Sequence, residues 1–208
     1  MTKVIAIMAL VVTAATSAAY KLYQYVPQPI PTAVIGEKQE KTLGGSAAVL
    51  LPENLNNKQA VLLNSAYAIA KSEGFKNPEI VQSILLQETR AGGMKSYNVA
   101  NAGPDAYYGP MQIKLAATRD VLARDPSLYT KYDFHTHTDD EVKANLILNH
   151  DFNIRVAVRY LGILQKTYGL SGANLVNAYQ AGPGGLSTSD GSYARGAAEK
   201  LAAYKHRT

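Results

Sequence analysis

From Asn57 to the end of the chain, apolar residues return every three or four positions, and glycines and prolines punctuate the runs. That spacing lines up apolar side chains on one face of successive helices. Val61, Leu62, Ala66, Ile69 and Ala70 give the face of a helix over 60–72, ended by Gly74. Pro78 opens the next helix in its first turn, where a missing N–H costs nothing. Ile80, Val81, Ile84, Leu85 and Thr89 form its face, and Gly92-Gly93 is expected to stop it. After a loop over 103–108, a helix is predicted over 113–123, ending before Pro126. Thr138 and Glu141 have capping-box spacing just ahead of Val142, Leu146 and Ile147. Val158, Leu161 and Leu164 mark a helix over 154–168, closed by Gly169. A short helix over 175–181 runs into Gly182-Pro183-Gly184-Gly185, and a last one covers 193–204. No strand run and no internal repeat stands out, so the expected fold class is mainly α in a single domain over 57–208.

The first 56 residues read differently. Residues 1–19 hold one charge, Lys3, then an apolar run from Val4 to Val12 and a small-residue end with Ser17 and Ala19. This is the pattern of a secretory signal peptide cleaved before Tyr20. The apolar run is short of the roughly 20 residues a bilayer span needs. An uncleaved anchor is the alternative, and would leave the protein tethered on the same side of the membrane. Residues 20–56 hold Pro27, Pro29, Pro31 and Pro52 with Gly44-Gly45, the composition of an extended linker. Export to the periplasm or cell envelope is the expected location.

Charge and cysteine content narrow the chemistry. Of 208 residues, 21 are Lys or Arg and 16 are Asp or Glu, giving a net charge of +5. The basic residues form no dense stripe with interleaved aromatics, which argues against nucleic acid. A mild positive charge outside the cytoplasm suits an acidic polymer such as a bacterial wall. There are no cysteines, which removes disulfides, thiolate metal sites, a catalytic thiol and a lipid-bearing N-terminal Cys.

Three segments carry candidate chemistry. Glu88 follows Ile84, Leu85 and Leu86 at the end of an apolar helix. Apolar surroundings and the negative end of a helix both disfavour a carboxylate, which keeps the proton that a general acid needs. Tyr107-Tyr108-Gly109-Pro110-Met111-Gln112 offers aromatics for sugar faces and an amide for hydroxyls. Ala178-Tyr179-Gln180-Ala181-Gly182-Pro183-Gly184 places a second phenol and amide before a glycine loop. Each segment alone also suits an ordinary helix end, turn or core contact.

Together and in order, they resemble the goose-lysozyme-like lytic transglycosylases of the SLT type. That family carries E-S, then G-L-M-Q, then N-I-x-x-G-x-x-Y-L, then A-Y-N-A-G-P-G. This chain has Glu88-Thr89, Gly109-Pro110-Met111-Gln112, Asn153-Ile154 with Tyr160-Leu161, and the segment from Ala178 to Gly184. Thr89 stands for Ser, Pro110 for Leu, Ala157 for Gly and Gln180 for Asn. The resemblance implies a lysozyme-like helical domain with a substrate cleft. It implies cleavage of peptidoglycan between N-acetylmuramic acid and N-acetylglucosamine, leaving 1,6-anhydro ends, with Glu88 as acid and then base. It also implies that Thr89, Tyr108, Met111, Gln112, Tyr179 and Gln180 contact or orient sugars, with Tyr160 supporting from its helix. No cofactor, no metal and a monomer are expected.

Two other readings stay open at this point. A hydrolase would need a second carboxylate, for which Asp105 is the candidate. A wall-binding or assembly module would keep the cleft without the reaction. The run His135-Thr136-His137 with Asp139 and Asp140 could ligate a metal, but capping by Thr138 and Glu141 explains it as well. Wall turnover, or clearance for a secretion or envelope-assembly complex, would both suit a small enzyme on a Pro-rich leader.

Overall fold

The computed structural model describes residues 55–93 and 106–205. The leader over 1–19, most of the linker, Asp105 and His206 lie outside them. The chain is mainly helical, as its periodicity predicts. In order come α1 (Asn57–Ser72), α2 (Pro78–Thr89), β1 (Tyr107–Tyr108), β2 (Ile113–Lys114), α3 (Leu115–Arg124) and α4 (Ser127–Lys131). Then follow α5 (Asp139–Leu148), α6 (His150–Tyr168), α7 (Gly172–Ala181), a 3-10 turn (Pro183–Thr188) and α8 (Ser192–Lys205). No helix of the described residues is long and apolar enough to cross a membrane.

Helix α6 is the hub. Phe152, Ile154, Val156, Ala157, Leu161 and Leu164 are fully buried along it. It packs on α1, α3, α5 and α7, so its apolar stripe is wide rather than a narrow seam. Asn149 caps its start through Phe152 N at 3.0 Å, and Gly169 ends it at φ +64°. Deleting one of these side chains, as in Leu161→Ala, should cost about 2–5 kcal/mol.

Helices α1, α2 and α8 form the other side. Asn56 and Gln59 make a reciprocal capping box at the start of α1, each bond 3.0 Å. The same Gln59 donates from Nε2 to Arg90 O at 2.7 Å, tying the start of α1 to the end of α2. Ile84, Leu85 and Leu86 of α2 are fully buried. Helix α8 packs on α2 closely enough that a Cβ on Gly196 would stand 3.1 Å from the Gln87 side chain.

Several sequence expectations are corrected. Helix α2 stops at Thr89, earlier than Gly92-Gly93, because Arg90 and Ala91 turn left-handed at φ +50° and +55°. The region expected to be free of strands holds a short antiparallel hairpin, Tyr107 facing Lys114 and Tyr108 facing Ile113. The helix expected from residue 113 therefore begins at Leu115. Thr138 does cap α5, but Glu141 does not reach back to the cap residue. Its carboxylate instead accepts from the backbone N–H groups of His135, Thr136 and His137 at 2.7–2.8 Å. No cluster of possible metal ligands is found among the described residues.

Candidate active site

Glu88 sits in the last turn of α2, on the side that α8 covers. Tyr193, in the first turn of α8, donates its phenol to Glu88 Oε1. Three contacts hold Tyr193 there. Asn177 of α7 is buried and accepts from Ala194 N at 2.9 Å. Gly196 lets α8 approach α2. Lys200 donates to Gln87 Oε1 at 2.7 Å.

Burial pushes the Glu88 carboxyl up to about 7. The Tyr193 bond and the Lys200 charge pull the other way, and burial wins. A carboxyl near 7 is about half protonated at neutral pH, the condition in which it can both give and take a proton. The Glu88 charge in turn raises the phenols of Tyr179 and Tyr193, on top of the burial that dominates both shifts. Both therefore act as hydrogen-bond donors, not as phenolates.

The hairpin turn is fastened from three sides. Asn153, buried on α6, accepts from Met111 N at 2.9 Å and donates to Tyr108 O at 2.9 Å and Leu146 O at 3.1 Å. Tyr179 donates its phenol to Met111 O at 2.8 Å. Thr89 donates to Pro110 O at 2.9 Å and accepts from Gly92 N at the same distance. Gly109 is obligatory here. Its φ is +67°, and a Cβ would lie 2.1 Å from Leu146 O and 2.4 Å from Asn153 Nδ2.

The candidate residues thus fall into two groups. Thr89 and Met111 are fully buried, Tyr108 is 2% exposed and Tyr179 7% exposed. Expected to contact or orient sugars, these four are buried and order the turn and its neighbours, and Tyr179 also lines a cavity with Gln112 and Gln180. Glu88 and Gln112 are half-buried and Gln180 is exposed. Gln112, itself at φ +47°, donates from Nε2 to Gly109 O at 2.8 Å.

Gln112 and Gln180 share a cavity of about 100 Å³ with Tyr107, Lys114, Tyr160 and Tyr179. The Tyr160 and Tyr179 rings meet edge to face at 6.0 Å. Tyr168 is 51% exposed and does not line this cavity. Glu88 does not line it either; the link is Tyr179, which feels the Glu88 charge and forms part of the wall. Larger cavities of about 480 and 670 Å³ lie beside Asn177 and beside Glu73, and neither includes a candidate residue.

Sequence reasoning missed Tyr193, Asn177 and Lys200 and quoted Asn153 only as a motif residue. Nothing local distinguishes Tyr193 from a core tyrosine. Its one signal is a polar-tipped aromatic at the start of a helix that a glycine lets pack tightly. No family model matches the chain, nor does any curated protein or solved structure.

Proposed function

We propose that this chain is a peptidoglycan lytic transglycosylase with a lysozyme-like helical domain. The observation that carries the reading is the half-buried Glu88 carboxyl near 7, bonded by the Tyr193 phenol, its neighbour Thr89 joined to the turn that Asn153 and Tyr179 fasten. The mainly helical body with a small hairpin beside the acid supports the lysozyme-like assignment. The four motifs supply the substrate class.

In this mechanism protonated Glu88 gives its proton to the glycosidic oxygen between the muramic sugar and the next glucosamine. The bond from that oxygen to C1 breaks. The C6 hydroxyl oxygen of the muramic sugar closes on C1, and its proton passes to the Glu88 carboxylate. Atoms balance with no water consumed, and Glu88 ends as it began. Tyr193 stabilises the carboxylate formed halfway, since its bond favours the charged form. Gln112 and Gln180, with Tyr107, present amides and an aromatic face to the sugars. The substrate's acetamido group assists the cationic centre, so one protein carboxylate suffices.

The protein is taken to act outside the cytoplasm on glycan strands, as a monomer without cofactor. The test is release of soluble fragments from purified peptidoglycan by the full chain and by Glu88→Gln. The variant should lose at least about a thousandfold in rate, some 4 kcal/mol of barrier. Near-normal release by the variant would remove Glu88 from the reaction. Binding without release by the native chain would leave a wall-binding module.

A further inference from the structure

Among the described residues, Lys114 is the only basic or acidic side chain lining the cavity that holds Gln112 and Gln180. Its position is set by the hairpin register. Tyr107 and Lys114 are cross-strand partners, so their side chains share one face. The Lys114 ammonium stands 5.0 Å from the centre of the Tyr107 ring, within cation–π reach. Both residues line the cavity, and Tyr107 is 41% exposed.

The start of α3 adds positive potential on the Lys114 side of the cavity, while Tyr160 and Tyr179 on its wall feel the Asp120 and Glu88 charges. Lys114 is the residue before α3, and no side chain caps that helix start. No acidic residue stands in its first turn, and Ala117 of that turn also lines the cavity. The N–H ends of α3 therefore contribute partial positive charge on the side of the cavity that Lys114 and Ala117 line. The ion pairs of the described residues pass Lys114 by, linking other cations such as Arg119, Arg124 and Lys143 to acids.

We infer that Lys114 makes this cleft selective for glycan strands that carry carboxylates. The inference rests on the reading of the chain as a wall-cleaving enzyme. A neutral chitin-type strand offers the ammonium no partner. A muramic strand offers one from either of two sources. The lactyl group ends in a free carboxylate when the stem peptide is absent, and the stem supplies its own when present. Lys114 is a specificity residue and takes no part in the proton transfers.

The experiment uses the full chain carrying Glu88→Gln, so that ligands are bound without turnover. Affinity is measured for a chitooligosaccharide, for stem-free muramic strands and for stem-bearing strands of the same length. Adding Lys114→Met should weaken the carboxylate-bearing ligands about fivefold, the scale of a partly exposed ion pair. It should leave the chitooligosaccharide unchanged, and Lys114→Arg should restore binding. The difference should shrink as salt rises. A loss confined to stem-free strands identifies the lactyl carboxylate as partner, and a loss confined to stem-bearing strands identifies the stem. Equal change on all three ligands, or none, overturns the role of Lys114 and leaves the wall reading intact. Binding to none of them by the Glu88→Gln protein overturns both.

Discussion

The phenol of Tyr193 reaches across 105 residues of sequence to donate to Glu88 Oε1. The bond joins the first turn of α8 to the last turn of α2 and sets the poise of the one acid in the proposed mechanism. Because it favours the ionised carboxyl, its loss should raise Glu88 further. Tyr193→Phe should therefore move the alkaline fall of the rate–pH profile upward from about 7, and lower turnover about tenfold. An unmoved alkaline limb would contradict the assignment.

Glu88 also gives a sign for stability. Its folded carboxyl lies near 7, above the ordinary 4.5, so between those values the folded protein binds the extra proton. Stability from this group is complete below 4.5 and is lost as pH rises through about 7. Glu88→Gln should remove that slope and unfold at higher urea than the native chain at alkaline pH, by about 2 kcal/mol. Urea midpoints on both sides of neutrality check it. A variant less stable than the native chain on the alkaline side would refute the half-buried, proton-holding carboxyl.

Asn153 should prove indispensable to the hairpin turn. Asn153→Ala leaves Met111 N, Tyr108 O and Leu146 O without their partner in a buried place. The cost should be about 2–4 kcal/mol in urea unfolding, with loss of activity even where the fold survives. Gly109→Ala should be worse, since the new methyl would overlap Leu146 O at a left-handed φ.

A separate network should affect stability alone. Glu73 joins Arg155 and Arg159, with side chains 15%, 11% and 28% exposed. Burial would raise the Glu73 carboxyl, but the two guanidinium groups outweigh it and hold it below the usual range. Its contribution is present above the ordinary 4.5 and is lost as pH falls through the depressed value. Glu73→Gln should cost about 1–3 kcal/mol, the loss of two charge-assisted bonds, since Arg155 keeps Asp151 and Arg159 keeps Asp125. Turnover of the folded fraction should be unchanged.

Helix content was legible in the sequence because it is written in local spacing. Pro78 starts α2 and Gly169 ends α6 for reasons confined to a few residues. The hairpin was not legible, since its strands are two residues each and too short to show alternation. The early stop of α2 was hidden as well. Arg90 and Ala91 adopt left-handed backbone in a turn that Gln59 fastens from α1, a contact that local sequence does not show. At the site, the apolar neighbours of Glu88 alone also suited an ordinary helix end, and the order of the motifs singled it out. The separation of buried organisers, Thr89 and Tyr179, from accessible Gln112 and Gln180 needed the fold, because burial depends on which helices meet. Tyr193 needed it most, being tied to Glu88 by packing alone.

The most direct test is mass spectrometry of muropeptides released from purified peptidoglycan by the protein, with Glu88→Gln alongside. The account predicts 1,6-anhydro ends from the native chain and none from the variant. Reducing ends, heavier by one water, would contradict it and turn attention to a second carboxylate such as Asp105.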